Sequence, residues 1–168
     1  QHQGEIAVLS APGEGTTFAI RFPALREGQG REEAEKDGVG TAPGGGERLL
    51  VVEDDERVRI FMRQVLKAKG YEVIEAQSGE DALNLFEREK GRFDLLLSDV
   101  VLPGIDGIDL ALHLRSIRPD LRILLCSGYA GDELRGDVIE KEQFPFLQKP
   151  FDVKTLLQRV RKVLGSEP

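Results

Sequence analysis

From Arg48 onward, short apolar runs alternate with stretches whose apolar residues recur at helical spacing. Five strands alternating with five helices require a parallel sheet that is covered on both faces. Right-handed crossovers then give a doubly wound α/β fold. The predicted strands span 49–52, 71–75, 93–98, 121–126 and 144–148, and the predicted helices span 55–69, 79–90, 107–118, 132–141 and 153–164.

Polar residues follow four of these five predicted strands. Because all strands of a parallel sheet point the same way, the residues just past their ends converge on one edge of the sheet. We therefore expect carboxylates, a hydroxyl and an ammonium to meet in one shallow pocket, formed by Glu53, Asp54, Asp55, Asp99, Ser127 and Lys149. This combination suits the binding of a divalent cation and the transfer of a phosphoryl group to an aspartate.

The carboxylates of this pocket have two interpretations each. Glu53, Asp54 and Asp55 are consecutive, so only some of them can point into the pocket, and neighbouring carboxylates repel each other unless a cation lies between them. Their oxygens suit Mg²⁺, although the triplet taken alone is better explained as an acidic helix start. Asp99 could attack phosphorus to form an acyl phosphate, or could cap the turn that follows.

The hydroxyl and the ammonium are also ambiguous when each is taken alone. Ser127 could donate to a phosphoryl oxygen or simply begin a turn before Gly128. Lys149 could stabilise the charge on a transferring phosphoryl group, or could be a solvated loop lysine. The order of the polar residues along the chain, with each set at a strand end, favours the phosphoryl interpretation.

Residues 48–165 resemble the response-regulator receiver domain, the phospho-accepting module of two-component signalling. The motifs that carry the resemblance are LVVEDD at 50–55, SDVVLPGIDG at 98–107, CSGYA at 126–130 and FLQKPF at 146–151. The resemblance implies a flavodoxin-like sheet with strand order 2-1-3-4-5 and helices on both faces. It also implies phosphoryl transfer from a phosphohistidine with Mg²⁺, and self-catalysed loss of the phosphoryl group.

The resemblance assigns a role to individual residues of the predicted pocket. Asp99 falls on the phosphorylated aspartate and Lys149 on the phosphate-binding lysine, which precedes a cis Lys149–Pro150 peptide. Asp55 is then peripheral. The implied metal ligands are Glu53, Asp54, Asp99 and the backbone carbonyl of Val101, and the implied switch pair is Ser127 and Phe146. Glu53 replaces the more frequent Asp, and Ser127 replaces the more frequent Thr.

Residues 4–23 resemble the last two strands of a histidine-kinase ATP-binding domain, in which Gly15 and Thr16 would lie close to the nucleotide. The ATP-binding motifs and the phospho-donor histidine region of that family are missing, and neither His2 nor His113 fits a donor motif. We therefore expect a kinase remnant at 1–25, a flexible glycine-rich linker at 26–47 and a receiver at 48–165. This is the layout of a hybrid histidine kinase, whose partner would be a histidine-kinase or histidine phosphotransfer domain.

The composition of the chain indicates which partners and which cell compartment we expect. The net charge is −7 and no block of Lys or Arg offsets it, which argues against nucleic acid as a partner. The single cysteine, Cys126, indicates a reducing compartment, and no apolar stretch predicts direct membrane contact, so we expect a cytoplasmic protein. The chain lacks an initial Met, which suggests a piece of a longer protein. No output domain follows Leu164, so a transcription factor is disfavoured unless that end was trimmed too.

Three other functions compete with a phospho-accepting receiver. A receiver-like module that works without phosphorylation would bind a partner through the fourth helix, fifth strand and fifth helix. A haloacid-dehalogenase-type phosphatase also uses an aspartate nucleophile, but it needs a second Asp where this chain has Val101. A P-loop is disfavoured because the glycines at 44–46 precede the first strand and are not followed by Lys-Ser/Thr.

Overall fold

A computed structural model describes residues 5–13, 15–21, 45–128 and 142–165 of the chain. The chain divides into two compact units, Gln1–Gly40 and Thr41–Pro168, and each is described by itself. Most of the predicted linker and the whole predicted helix at 132–141 lie outside the described residues. Within the described ranges, none of the helices has the length and apolarity that a bilayer crossing needs.

The first unit contains an antiparallel hairpin, formed by β1 (Glu5–Ala11) and β2 (Gly15–Arg21). Val8 lies opposite Phe18, and Ile6 lies opposite Ile20. Because residues two apart in a strand face the same side, these four side chains share one face of the hairpin. They are exposed by more than half of their surface. The two strands that the resemblance implies for residues 4–23 are confirmed.

The second unit contains a five-stranded sheet in which every neighbouring pair is parallel. Its order, β4-β3-β5-β6-β7, confirms the predicted order 2-1-3-4-5, counted from the first strand of this unit. Its elements in chain order are β3 (Arg48–Val52), α1 (Glu56–Ala68), β4 (Glu72–Ala76), α2 (Gly79–Arg88), β5 (Leu95–Asp99), α3 (Gly107–Ile117), β6 (Arg122–Ser127), β7 (Phe146–Gln148) and α4 (Val153–Leu164).

The core is centred on β3 and β5, two of the three inner strands of the sheet. Residues 49–52 of β3 and 95–97 of β5 are all completely buried. A parallel strand that is covered by helices on both faces has no solvent side, which is why these strands are continuous apolar runs rather than alternating ones. The helices contribute their apolar stripes, with Met62 and Leu66 from α1 and Leu156, Leu157 and Val160 from α4.

Strand boundaries differ slightly from the predicted ones, and the difference moves two site residues. Asp99 and Ser127 are the last residues of β5 and β6 rather than the first residues beyond them. The hydrogen-bond ladder continues past both strands, because Val100 N donates to Cys126 O at 2.8 Å and Lys149 N donates to Ser127 O at 2.8 Å. Both side chains are therefore held by strand geometry, which fixes their direction more firmly than a loop would.

The last strand is shorter than predicted, at Phe146–Gln148 instead of 144–148. Phe144 is 5% exposed, and its burial explains why an apolar pattern extends the predicted strand too far. Pro145 has no N–H to give to a ladder, although its carbonyl accepts from Leu125 N at 3.0 Å. Phe144 is therefore buried without belonging to the strand.

Candidate functional site

The polar residues that follow the strands meet at the carboxyl edge of the sheet, as the sequence predicts. Glu53 follows β3, Asp99 ends β5, Ser127 ends β6 and Lys149 follows β7. The sheet order places β5 between β3 and β6, so Asp99 lies in the middle of this group. Four strands of one rigid sheet thus determine where the four side chains begin.

Lys149 links the two buried carboxylates of the site. Its Nζ donates to Glu53 Oε2 at 2.6 Å and to Asp99 Oδ2 at 2.7 Å. Burial of the ammonium would lower its pKa, but the hydrogen bonds to Asp99 and Glu53 outweigh burial, and the pKa of Lys149 is raised. The predicted cis Lys149–Pro150 peptide is confirmed. The ammonium is therefore a fixed positive charge that touches Asp99.

Glu53, Asp54 and Asp99 form an acidic cluster in which one ligand oxygen from each lies within 4.8 Å of the others. Glu53 is 1% exposed and Asp99 is 8% exposed, whereas Asp54 is open to solvent. Burial, the largest effect, raises the pKa of Glu53, and the nearby Lys149 only partly offsets it. A set of carboxylate oxygens with one solvent-facing side suits Mg²⁺, which keeps several of its waters.

Asp55, the third acidic residue of the triplet, has a different role. Its Oδ1 accepts hydrogen bonds from Arg57 N at 2.8 Å and Val58 N at 3.2 Å, so it caps the amino end of α1. These two bonds lower the pKa of Asp55. The interpretation as a helix start is therefore correct for Asp55, while the other two carboxylates of the triplet belong to the cluster.

The loop that follows β5 brings its main chain to the Asp99 carboxylate. Val101 N donates to Asp99 Oδ1 at 3.3 Å, and the Val101 side chain is 53% exposed above the site. On the opposite side of the strand, Ser98 Oγ donates to Asp99 O at 2.9 Å. Asp99 is thus held at its backbone carbonyl and at one carboxylate oxygen, and its other carboxylate oxygen contacts Lys149.

Ser127 and Phe146, the predicted switch pair, lie on neighbouring strands. Ser127 is 2% exposed and lies opposite Gln148, whereas Phe146 is partly buried and lies opposite Leu125. Because Leu125 and Ser127 are two residues apart in β6, they face the same side of the sheet, and Phe146 lies beside that side. The structure therefore places Ser127 and Phe146 on the same side of the sheet, at the ends of β6 and β7 that are paired with each other.

Gly107 and Arg59 contribute to the site in ways that the sequence analysis did not predict. Gly107 begins α3, and a Cβ on it would overlap the carbonyl oxygen of Asp99, so any other residue would push the helix away from β5. Arg59 donates to the carbonyls of Glu53 and Asp54. Their only sequence signals were a glycine at a helix start and an arginine one turn into a helix, and neither is specific.

Comparison with protein families matches residues 49–161 to the response regulator receiver domain. Among curated relatives, the receiver protein CpdR of Brucella abortus is 36% identical over 117 residues, which cover 70% of this chain and 96% of CpdR. The sensor kinase CckA of Brucella abortus is 37% identical over 173 residues, which cover 99% of this chain but only 18% of CckA. The chain thus spans less than a fifth of that kinase's length.

Solved structures show the same fold. The receiver domain of the hybrid histidine kinase CckA is 41% identical with a TM-score of 0.58, covering 70% of this chain and 98% of that domain. The chemotaxis protein CheY4 of Vibrio cholerae is 28% identical with a TM-score of 0.63, covering 70% of this chain and 98% of CheY4. The matched part of the chain corresponds to the unit that contains the site.

Proposed function

The chain belongs to the response regulator receiver domain family, and we propose that it accepts a phosphoryl group on Asp99 from a phosphohistidine. An Asp99 carboxylate oxygen attacks phosphorus, the phosphorus–nitrogen bond of the phosphohistidine breaks, and the imidazole leaves and takes up a proton. The product is an acyl phosphate, which water later hydrolyses. The observation that carries this proposal is the contact of Lys149 Nζ with Asp99 at 2.7 Å beside two further carboxylates.

Lys149 supplies the positive charge for this transfer. The transition state of phosphoryl transfer carries negative charge on its equatorial oxygens, so catalysis depends on positioned cations rather than on covalent chemistry. The ammonium already touches the acceptor carboxylate and is held by the buried Glu53. It therefore needs to move only a short way to reach an oxygen of a phosphoryl group on Asp99.

Mg²⁺ is the proposed cofactor, held by Glu53, Asp54, Asp99 and the carbonyl of Val101. The donor set is all oxygen, and the cluster of three carboxylates fits a small hard cation. Such a cation, when bound, neutralises charge between the acceptor and the incoming phosphoryl group. Within the chain, Glu53 and Asp54 bring the negative charge that attracts it, and Lys149 keeps the buried carboxylates from repelling one another.

Phosphorylation would be transmitted through Ser127 and Phe146. A new phosphoryl group at Asp99 offers oxygens to the hydroxyl of Ser127 at the end of the adjacent strand β6. Movement of Ser127 toward the phosphate would open space into which the partly buried Phe146 ring turns. This rearrangement is a two-state change biased by one new charge, and it would alter the surface around β7.

The proposed context is a hybrid histidine kinase. The match to CckA extends over 99% of this chain, so it includes the segment before the receiver. We assign residues 1–25 to the end of a kinase ATP-binding domain, 26–47 to a linker and 48–165 to the receiver. The exposed apolar face of the β1–β2 hairpin agrees with a piece that packs on other parts of such a domain. The donor or acceptor partner is then a histidine-kinase or histidine phosphotransfer domain.

The proposal is tested by weighing the intact chain after incubation with acetyl phosphate and Mg²⁺, beside an Asp99→Asn variant. We expect the parent to gain one phosphoryl group, the variant to gain none, and a chelator to abolish the gain. No gain in a parent chain that is folded by circular dichroism would contradict the proposal and direct attention to phosphorylation-independent binding. Equal gain in parent and variant would show that another residue is the acceptor.

A further inference from the structure

We propose that Arg59 is a positioning residue for the metal site, because it fixes the main chain from which the Glu53 and Asp54 carboxylates project. The inference rests on the proposed function, since it concerns the same acidic cluster. Arg59 belongs to the second turn of α1 and contacts no carboxylate of that cluster directly. Its effect would be exerted through backbone carbonyls.

The contacts of Arg59 cover three consecutive carbonyls. Its Nη1 donates to Glu53 O at 2.7 Å and to Asp54 O at 3.3 Å. Its backbone N donates to Asp55 O at 2.9 Å as the first bond of α1. One residue therefore binds every carbonyl between the end of β3 and the start of α1.

Further hydrogen bonds hold the connection between β3 and α1, residues 53–55, in place. Glu53 N donates to Ala76 O at 3.2 Å at the end of β4, and Asp55 caps α1 through its side chain. With its carbonyls bound to Arg59, the connection has little freedom to turn its peptides. The Glu53 and Asp54 side chains are thus held toward Asp99, where their oxygens come within 4.8 Å of its carboxylate.

Charge supports the same role. Lys149 Nζ donates to Glu53 and Asp99 but not to Asp54, and mutual repulsion would favour turning the exposed Asp54 away. The Arg59 guanidinium, which is bound to the carbonyls of Glu53 and Asp54, brings a second positive charge near these residues and so reduces the repulsion. Mg²⁺ binding should therefore depend on Arg59 although Arg59 is not a ligand.

Arg59 is itself held in place by Glu75 on β4. Arg59 Nε lies 3.9 Å from Glu75 Oε1, and the Arg59 side chain is only 16% exposed. Arg63, one turn further along α1, pairs with the other oxygen of Glu75 at 3.1 Å. Its guanidinium donates to Glu75 and not to residues 53–55. Arg63 thus shares the anchor but not the proposed role, which makes it a matched control.

The test is calorimetric titration of Mg²⁺ into the full chain and into the variants Arg59→Met, Arg59→Lys and Arg63→Met, without any phosphoryl donor. We expect Arg59→Met to bind Mg²⁺ about tenfold more weakly, the size typical when a partner of a metal ligand is lost. Arg59→Lys should recover part of this loss, because it keeps the charge but not the planar fork. Arg63→Met should bind as the parent does.

Two further measurements distinguish a metal-positioning role of Arg59 from a role limited to folding. Urea denaturation measures stability, and the rate of phosphorylation by acetyl phosphate is followed against Mg²⁺ concentration. We expect the half-saturating Mg²⁺ concentration of Arg59→Met to rise about tenfold, while the rate at saturating Mg²⁺ stays within a factor of about two. If Arg59→Met does not fold, Arg59→Gln takes its place in both titrations.

Three results would overturn the proposal. The first is unchanged Mg²⁺ affinity in a folded Arg59 variant, and the second is an equal loss in Arg63→Met. The third is the absence of Mg²⁺ binding by the parent, which would also remove the metal from the proposed function. A parent that binds Mg²⁺ but is not phosphorylated would contradict the proposed function alone and leave the calorimetric comparison valid.

Discussion

Glu53 combines burial with a negative charge, and the two requirements conflict. The side chain is 1% exposed, and burial raises its pKa although Lys149 lies 2.6 Å away. A carboxyl whose pKa is higher in the folded than in the unfolded state takes up a proton more readily when folded. Stability is then lost as the pH rises through the raised pKa, so at neutral pH the charged Glu53 makes the folded state less stable.

We predict that Glu53→Gln makes the protein more stable at pH 7.5 and less able to bind Mg²⁺. The gain in stability should shrink as the pH falls toward about 4.3, the ordinary glutamate pKa, because the parent's Glu53 is then protonated as well. Urea denaturation of both proteins at several pH values measures this difference. A variant that is less stable than the parent at pH 7.5 would show that the ion pair with Lys149 outweighs burial.

Val101 contacts the Asp99 carboxylate through its main chain, and we expect its side chain to hinder water that approaches an acyl phosphate there. Its side chain is 53% exposed beside Asp99 and offers no polar atom. We predict that Val101→Asn speeds loss of the phosphoryl group about fivefold, the factor that corresponds to one net hydrogen bond of about 1 kcal/mol to the water. Loss is followed by intact mass after removal of acetyl phosphate. An unchanged rate would exclude this residue as a barrier to water.

Among individual residues, we could predict from the sequence the side chains that carry charge, but not those that act on the backbone. Asp99 and Lys149 stand out because each follows an apolar run, and parallel strands bring such positions together. The triplet at 53–55 does not reveal that Asp55 caps α1, because that depends on the direction of two backbone N–H groups. Arg59 was missed because its acceptors are carbonyls, which every residue has.

The contact between α3 and β5 depends on one residue without a side chain. A Cβ on Gly107 would overlap the carbonyl of Asp99, and backbone on both sides leaves nothing flexible to yield. Gly107 N also donates to Val100 O at 2.9 Å, which ties the helix start to the strand end. The start of α3 is therefore held directly against the end of β5, the strand that carries Asp99.

We predict that Gly107→Ala destabilises the protein by about 3 kcal/mol, the upper range for overpacking. Gly128→Ala is the control, since a Cβ there meets no atom of the described residues within 4 Å. It should change stability by less than about 1 kcal/mol, with a gain from the less flexible unfolded chain. Urea denaturation of the three proteins measures both effects. Equal stability of Gly107→Ala and the parent would contradict the close approach.

The type and order of the helices and strands were predictable from the sequence, but their first and last residues were less so. The second strand of the sheet was expected at 71–75 and is observed at Glu72–Ala76, because Tyr71 N still bonds to Leu66 O of the preceding helix at 3.2 Å. The second helix was expected to reach residue 90 and ends at Arg88, since Lys90 and Gly91 adopt positive φ. Apolar pattern reports burial, whereas an element's end is decided by hydrogen bonds and backbone angles.

For the whole molecule, the sheet and every residue of the site belong to the second unit. The bonds that hold Asp99, Glu53 and Lys149 come from residues between 45 and 165. We predict that a fragment spanning 41–168 is phosphorylated by acetyl phosphate at the rate of the full chain and unfolds at the same urea concentration. A slower or less stable fragment would show that the first unit contributes to the site.

The fold of the second unit was predictable because its pattern is repeated and its parallel sheet is buried on both faces. The two strands of the first unit were also expected, from the resemblance of residues 4–23 to a known pair of strands. Local periodicity and turn signals thus predict the elements and the layers that they form.

The central claim is that Asp99 itself accepts the phosphoryl group, and chemical trapping tests it most directly. The chain is phosphorylated with acetyl phosphate and Mg²⁺, reduced with borohydride and digested, and the peptides are sequenced by mass spectrometry. Borohydride converts an aspartyl phosphate to homoserine and leaves a free aspartate unchanged. We predict homoserine at position 99, and only in samples that received Mg²⁺. Homoserine at another acidic position, with Asp99 unmodified, would contradict it.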